Sequence, residues 1–358
     1  MRDRNLVVTA PGRLEIVEEE PVAGPFRVRT LYSGVSAGTE LSYVKGTNPA
    51  LHSRFDPVLG LFGGEPESAY PVTRLGYMEV ARVEQSSTPA VAEGSLVAMT
   101  YGHRTAYTGD PVRDRVVPLP ADLDPILGVY VAHMGPICAN GLLHAAADLH
   151  GSSVRSLGDG VAGRRVVVTG AGVVGLLTAL FARAHGAASV LVLDPTPRRR
   201  EIAGALGLET LDPQAQDPAP VLKTRWRHTA DDRGADVVFQ CRGQASALHL
   251  ALRLLRPQGT VIDLAFYQGG ADAVRLGEEF HHNGLAVRCA QIGRVPRGLT
   301  ATWDRERLSA ETIALLRGHG ELIREHLISA TVPFDEAPEL LDDLAHRRRQ
   351  EVQVVLGF

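Results

Sequence analysis

Three glycines at phosphate-loop spacing are the strongest chemical feature of the sequence. Residues 165–175, RVVVTGAGVVG, place Gly170, Gly172 and Gly175 between an apolar run and an apolar helical segment. This spacing gives a tight turn at the first glycine, room for a pyrophosphate at the second and close helix–strand packing at the third. A helix starting at Val173 and Val174 points free N–H groups at the phosphates. The loop predicts a dinucleotide site, with a purely structural turn as the alternative.

An acidic residue follows this loop at the spacing expected for a ribose contact. Asp194 ends the apolar run SVLVLD, 19 residues after Gly175, where a carboxylate can accept hydrogen bonds from ribose hydroxyls. A carboxylate repels a 2′-phosphate, which favours NAD(H). Arg199, inside the run Arg198–Arg200, could attract that phosphate or form a solvated helix start. We predict NAD(H), with NADP(H) as the second choice.

Further cofactor contacts are expected where the later strands end, since open α/β sheets bind ligands at the carboxyl ends of their strands. This places Cys241, Phe266, Tyr267 and Gln291 near the nicotinamide ribose and ring. Simple strand-end turns are the alternative interpretation of these segments.

A parallel sheet is needed to bring these groups to one edge. Apolar runs alternate with helical patterns, and an irregular stretch covers 212–232. The predicted strands are Arg165–Thr169, Ser189–Asp194, Ala235–Gln240, Gly259–Ala265 and Leu285–Gln291; the predicted helices run to His185, over Pro197–Leu206 and over Ser246–Leu255. Near-continuous apolar strands with intervening helices predict a doubly wound α/β domain.

The rest of the chain has a different pattern. Short β segments punctuated by Gly and Pro occupy the first 130 residues or so, at Arg27–Leu31, Met78–Glu84, Ser95–Met99 and Val116–Leu119. The tail combines helices at Arg305–His319 and Asp335–Arg347 with strands at Leu327–Pro333 and Glu351–Leu356. It is too short for a domain of its own, so we expect it to fold back onto the N-terminal β domain.

Composition excludes several classes of protein. With 37 basic and 41 acidic residues and a net charge of −4, nothing indicates a nucleic-acid or acidic-membrane partner. Three scattered cysteines, Cys138, Cys241 and Cys289, exclude a disulfide framework and a four-thiolate zinc site. The uncharged run Val166–Ala182 contains the glycine loop, which favours a strand, a turn and a helix over a membrane span. The first residues lack an apolar signal segment, so we expect a cytoplasmic protein.

The whole chain resembles the medium-chain dehydrogenase/reductase superfamily. The resemblance is carried by SGVSAGTE at 33–40, LGY at 75–77, GAGVVG with Asp194, and GLAVRCAQIG at 284–293. FYQGG and GEEFHHN are shared with the branch that contains bacteriochlorophyllide dehydrogenase and related alcohol dehydrogenases. The resemblance implies a GroES-like catalytic domain at 1–139 and 294–358, and a Rossmann dinucleotide-binding domain at 140–293.

The sequence differs from zinc-binding members of the superfamily at the positions of the catalytic zinc ligands. Zinc-binding members carry a Cys-Gly-Thr-Asp, a Gly-His-Glu and a later Cys as ligands. Here Ala37 stands in place of the first cysteine and Tyr77 in place of the histidine, and only Cys138 remains. Alanine has no donor atom and a neutral phenol is a poor zinc ligand. We therefore expect no zinc, and a buried, unreactive Cys138.

Without zinc, another group must handle the proton on the substrate oxygen. Tyr77 could bond a carbonyl or alkoxide, or be an aromatic wall. Thr39 matches the position whose hydroxyl relays a proton in zinc-binding members of the superfamily. Glu40 could orient that hydroxyl or cap a helix. His133 has a suitable ordinary pKa for proton transfer, although a capping or packing role is equally consistent.

These residues predict an NAD(P)-dependent oxidoreductase that interconverts a secondary alcohol and a ketone, with a cyclic, polyol or specialised-metabolite substrate. Zinc-free relatives also reduce activated C=C bonds with NADPH, which is the first alternative. The second is a dinucleotide-binding protein that has lost catalysis. The partners expected are a small-molecule substrate and a second copy, since the resemblance implies a homodimer through the strand at Leu285–Gln291.

Overall fold

The computed structural model describes residues 2–358 and divides into two compact units. Unit 1 contains the residues up to His133 together with Ile328–Phe358, and unit 2 is Met134–Leu327. The strands are β1 (Asp3–Ala10), β2 (Arg13–Glu19), β3 (Phe26–Gly34), β4 (Arg54–Asp56), β5 (Leu61–Gly63), β6 (Glu79–Ser86), β7 (Leu96–Met99), β8 (Ala106–Gly109), β9 (Val117–Pro118), β10 (Arg165–Thr169), β11 (Ser189–Leu193), β12 (Glu209–Leu211), β13 (Ala235–Gln240), β14 (Leu255–Asp263), β15 (Ala286–Cys289), β16 (Ile328–Pro333) and β17 (Gln353–Gly357). The helices are α1 (Ala37–Val44), α2 (Met134–His150), α3 (Val173–Ala184), α4 (Pro197–Ala205), α5 (Pro218–Arg225), α6 (Ala245–Leu254), α7 (Arg305–Leu322) and α8 (Ala337–Ala345).

Unit 2 is built on a six-stranded parallel sheet in the order β12-β11-β10-β13-β14-β15. The apolar runs in β10 and β13 are almost wholly buried, because helices cover both faces. Burying one Val or Leu side chain contributes roughly 1.5–3 kcal/mol. The strand order changes direction between β10 and β13, which is the switch point where such sheets bind ligands. The prediction of a doubly wound Rossmann sheet is confirmed.

Helix α7 packs against α2 and α3 and therefore belongs to unit 2. The predicted domain boundaries lie at 139/140 and 293/294, whereas the two units divide after His133 and after Leu327. The difference arises because Gly135 of α2 packs directly on Thr312 of α7: a Cβ at that glycine would overlap the threonine side chain. Through this contact α2, which precedes the parallel strands in the chain, and α7, which follows them, pack together within unit 2.

Unit 1 is a β-rich unit around a seven-stranded sheet. Its order is β16-β17-β3-β6-β7-β9, with β8 paired to β3, and only the β16–β17 pair is parallel. Helix α8 buries Ala337, Leu340, Leu341 and Leu344 along one stripe and packs against α1 and β2. This architecture confirms the predicted β-rich domain. Of the tail that was predicted to fold back onto it, only Ile328–Phe358 belongs to unit 1, because α7 packs within unit 2.

Several elements differ from the sequence predictions. Residues 212–232, predicted as irregular, contain α5, which starts because Asp217 accepts the Ala219 N–H at 3.1 Å and Pro218 occupies the first helical position. The prediction of an irregular stretch was wrong there. The hairpin β1–β2 was not predicted, and the strand predicted at 285–291 is confined to β15.

Among residues 2–358, no helix is both long enough and apolar enough to cross a membrane. The uncharged run Val166–Ala182 is divided between β10, the glycine loop and α3, as its glycines predicted.

Candidate active site

The glycine loop joins β10 to α3 in unit 2. Gly170 follows β10 with φ +97°, a conformation that L side chains rarely adopt, and a Cβ there would lie 3.1 Å from the Cβ of Arg242. A Cβ at Gly175 would overlap the carbonyl oxygen of Gly170, so only glycine allows α3 to start this close to the turn. Gly172 has open space around its Cα and is the N-cap of α3. The half-buried Val173 and Val174 begin the helix. This loop can hold a pyrophosphate through backbone N–H groups.

Asp194 is fixed against this loop. It directly follows β11 and is only 1 % exposed. Its Oδ2 accepts the Ala171 N–H at 2.9 Å, and its Oδ1 accepts the Thr196 N–H at 2.8 Å. The Arg199 guanidinium lies 3.8 Å from Oδ2 and is 37 % exposed. The carboxylate is therefore fixed beside the glycine loop, with the guanidinium next to it.

A pocket of about 240 Å³ opens at the carboxyl ends of β10 and β11. Its lining includes Gly170, Leu193, Pro195, Arg242 and Gln244. Apolar walls beside the glycine loop and a polar rim suit the adenosine end of a dinucleotide. The Arg242 Nε donates to Gln244 Oε1 at 2.9 Å, which holds the guanidinium at this rim.

The predicted strand-end residues have different surroundings. Cys241 donates its backbone N–H to the Thr169 carbonyl at 2.9 Å, and burial raises the pKa of its thiol well above the ordinary value. The Tyr267 hydroxyl accepts from Gln240 Nε2 at 3.1 Å and donates to Asp263 Oδ2 at 2.9 Å. Gln291 turns back to accept the Gly293 N–H at 2.6 Å. These three residues are therefore engaged with protein groups, whereas the Phe266 ring is 44 % exposed.

A second cluster lies in unit 1 around Tyr77. The Tyr77 phenol and the Ser36 hydroxyl form a hydrogen bond, although 41 residues separate them in the chain. The ring of His133 meets the ring of Tyr77 edge-on, with centroids 4.7 Å apart. Ser36 is buried, whereas Tyr77 and His133 are half-buried and so keep contact with the surface. The structure therefore brings a phenol, a hydroxyl and an imidazole together.

Helix α1 carries the other two catalytic candidates. Glu40 is buried, and its Oε1 accepts the Ser36 N–H at 2.8 Å, so it caps the start of α1. Its Oε2 lies 2.9 Å from His103 Nε2. Thr39 is half-buried on the same helix, three residues after Ser36. Glu40 thus reaches Tyr77 indirectly, through Ser36.

The three positions that align with zinc ligands hold an alanine, a hydrogen-bonded tyrosine and a buried cysteine. Ala37 offers no donor atom, and the Tyr77 phenol is bonded to Ser36. The buried Cys138 thiol donates to the carbonyl oxygens of Met134 and Val174, each at 3.4 Å, and burial raises its pKa to about 12.

One other group of possible ligands converges within residues 2–358. His249, Glu278 and Glu279 place one donor atom each within 4.8 Å of the others. None of the residues aligned with zinc ligands belongs to this group.

Ser36 and His103 were not identified from the sequence. Ser36 stands inside the SGVSAGTE segment, but nothing in the sequence shows that its hydroxyl reaches Tyr77. His103 lies in a β-rich stretch with no recognisable motif. Both contacts depend on how the strands of unit 1 pair.

Comparison with known proteins agrees with this fold. Residues 173–304 match the model of a family described as zinc-binding dehydrogenase. The D-guloside 3-dehydrogenase of Escherichia coli K12 is 28 % identical over 349 residues, which cover 94 % of each chain. Residues 173–304 contain none of Ala37, Tyr77 and Cys138, so the family's description does not bear on those positions.

Two solved structures share the architecture. A dehydrogenase from Sinorhizobium meliloti 1021, bound to NADP, has a TM-score of 0.73 at 20 % identity, with both chains fully covered. An alcohol dehydrogenase from E. coli CFT073, solved with NADH, has a TM-score of 0.73 at 16 % identity and covers 100 % of this chain and 99 % of that one. The chain therefore shares the fold of medium-chain dehydrogenases, with a Rossmann unit and a GroES-like unit, and residues 173–304 match the zinc-binding dehydrogenase family.

Proposed function

We propose that this protein interconverts a secondary alcohol and a ketone on a cyclic or polyol substrate, with a nicotinamide dinucleotide and without catalytic zinc. The observation that carries the proposal is the Tyr77–Ser36 hydrogen bond, formed where zinc-binding relatives have a histidine ligand. The similarity to a D-guloside dehydrogenase supports a sugar-like substrate.

The dinucleotide is assigned to unit 2. The N–H groups at Val173 and Val174 would bind the pyrophosphate, and Asp194 with Arg199 would bind the ribose. Each Asp194 oxygen already accepts one N–H and retains a second lone pair for a ribose hydroxyl. This arrangement supports NAD(H) over NADP(H). The bound nicotinamide supplies or accepts the hydride.

Tyr77 is assigned as the group that exchanges a proton with the substrate oxygen. In the reducing direction its phenol donates a hydrogen bond to the substrate carbonyl and gives its proton to the oxygen as the hydride reaches carbon. The Ser36 hydroxyl can donate to the resulting phenolate, and His133 beside the ring is a group through which a proton can return. Thr39 is a second hydroxyl near the start of α1 that can contact the substrate.

The test combines metal analysis with turnover. The purified protein is assayed with NAD⁺ and NADP⁺ against alditols, methyl glycosides and simple secondary alcohols, and with NADH and NADPH against ketones and enones. We expect turnover that survives chelation, less than one zinc per chain in the purified protein, and a loss of roughly 100- to 10,000-fold in kcat for Tyr77→Phe.

Tyr43→Phe is the matched control, since Tyr43 is a half-buried tyrosine on α1. Its kcat should equal that of the wild type. Stoichiometric zinc whose removal abolishes turnover, or full activity of Tyr77→Phe, would overturn the mechanism. Turnover of enones alone would replace the alcohol substrate with an activated C=C bond.

A further inference from the structure

A chain of buried polar groups lies behind Ser36. Ser33, Glu79 and His103 are 0 % exposed and Glu40 is 1 % exposed. His103 is central: its Nε2 lies 2.9 Å from Glu40 Oε2, and its Nδ1 lies 2.7 Å from Ser33 Oγ. Ser33 in turn donates to Glu79 Oε1 at 3.0 Å. Groups this deeply buried require partners, and here every ring nitrogen of His103 has one.

Two carboxylates act on the protonation state of His103. When Glu79 is ionised, the Ser33 hydroxyl gives its proton to Glu79, and the Ser33 oxygen then accepts from the Nδ1–H of His103. The Glu40 carboxylate accepts from Nε2–H on the other side. Burial alone would lower the pKa of His103, but the charge and hydrogen bond of Glu40 and the charge of Glu79 raise it. The surroundings of His103 therefore favour the doubly protonated, cationic imidazole.

Through Glu40, His103 fixes Ser36. A serine at the N-cap normally turns its hydroxyl towards the N–H groups of the first helical turn. Here Glu40 accepts the Ser36 N–H, and the Ser36 side chain makes no capping hydrogen bond. The hydroxyl is consequently available for Tyr77.

On its other side, His103 fixes the backbone beside Tyr77. Gly76 has φ +101°, and a Cβ there would lie 2.7 Å from Cε1 of the His103 ring. The backbone N–H of His103 also donates to the Leu75 carbonyl at 2.8 Å. The imidazole is thus in contact with the residue that precedes Tyr77 as well as with the carboxylate that holds Ser36.

We propose that His103 is a positioning residue that sets the Tyr77–Ser36 hydrogen bond, holding Ser36 through Glu40 and Tyr77 through Gly76. This inference rests on the proposed function of Tyr77. It predicts that loss of the Glu40–His103 contact impairs the proton step while substrate and cofactor binding remain intact.

The kinetic test uses Glu40→Ala, Glu40→Gln and His103→Gln. We expect Glu40→Ala to lower kcat by about 100-fold, the scale of a misplaced reacting group, with unchanged KM for both substrates. Glu40→Gln should recover most of that loss, because its amide can accept from Ser36 and donate to a neutral His103. Asp342→Ala is the control, since it removes a half-buried carboxylate of the same unit that pairs with His346 and Arg348 and not with His103. It should leave kcat unchanged.

A measurement without substrate separates the two proposals. In protein labelled with ¹³C at tyrosine Cζ, the Tyr77 signal is the one of eight that Tyr77→Phe removes. We expect that signal to move in Glu40→Ala and His103→Gln and to stay in place in Asp342→Ala. If it stays in place in folded Glu40→Ala, or if kcat and KM change together, the positioning role is wrong. If it moves while Tyr77→Phe is fully active, positioning stands and the proton role of Tyr77 fails.

Discussion

At the scale of single residues, the proposed reaction depends on which side chains stand at the positions of the zinc ligands. Ala37 has no donor atom, and the neutral Tyr77 phenol, a poor zinc ligand, is hydrogen-bonded to Ser36. In the proposed mechanism the phenol donates a proton to a substrate oxygen, which a metal-bound imidazole cannot do. Hydrogen-bond activation by a protein group would then take the place of electrostatic activation by a cation.

A substitution at Cys138 tests whether its sulfur takes part in catalysis. Its thiol is buried, protonated and bonded to two carbonyl oxygens. We expect Cys138→Ala to leave kcat unchanged and to lower the free energy of unfolding by about 1 kcal/mol, through lost packing. Turnover and denaturant unfolding measure the two effects. A collapse of kcat in a folded Cys138→Ala variant would indicate that this sulfur takes part in catalysis.

Arg199 tests the cofactor assignment. Its guanidinium lies beside Asp194 and is more than one-third exposed. Arg199→Ala should raise the Kd of NADP⁺ more than that of NAD⁺, because a 2′-phosphate gains a charged partner that a hydroxyl does not need. Titration of each dinucleotide measures this. Arg198→Ala, at an exposed neighbour paired with Glu201, is the control and should change neither constant. Equal losses for both dinucleotides would show that Arg199 contacts the shared part of the cofactor.

At the scale of elements, local features can be predicted from the sequence, whereas contacts between distant positions cannot. The strand, glycine loop and helix at 165–184 could be predicted because the constraints act within a few residues, as the overlap between Gly175 and Gly170 shows. The Ser36–Tyr77 and Glu40–His103 contacts could not, since they join positions 41 and 63 residues apart. Helix α5 was missed because its cap lies within a polar stretch that has no apolar period.

The predicted homodimer interface lies on the edge strand β15. It pairs only with β14, and Val287 on it is 42 % exposed. An unpaired edge of this kind offers N–H and C=O groups to a second strand. Val287→Pro should convert a dimer into a monomer, because proline removes a donor and cannot sit inside a ladder. Light scattering after size exclusion measures the mass, with Val112→Pro, at another exposed valine, as the control. A dimer that persists in Val287→Pro would place the interface elsewhere.

At the scale of the whole molecule, buried histidines give the two units opposite responses to pH. In unit 1, folding raises the pKa of His103, so the folded chain keeps this proton at a pH where the unfolded chain has lost it. The resulting stabilisation is complete below the ordinary histidine pKa and disappears as the pH rises through the folded value. In unit 2, burial, followed by the charge of Arg288, lowers the pKa of His144 to about 4. There, stability is lost as the pH falls below the ordinary value.

These opposing shifts predict that the unfolding midpoint is highest near neutral pH. His103→Gln should flatten the alkaline decline, measured between about pH 7 and about pH 9, and His144→Gln the acid decline between about pH 6 and about pH 4. Calorimetric Tm values across this range measure both limbs, with exposed His346→Gln as the control that alters neither. Because Tyr77 depends on His103 through Gly76 and Glu40, the alkaline loss of kcat should be centred on the folded pKa of His103, the pH at which the alkaline decline of Tm levels off in the wild type. A kcat that does not fall at that pH would mean that His103 stabilises unit 1 without setting the geometry of the phenol.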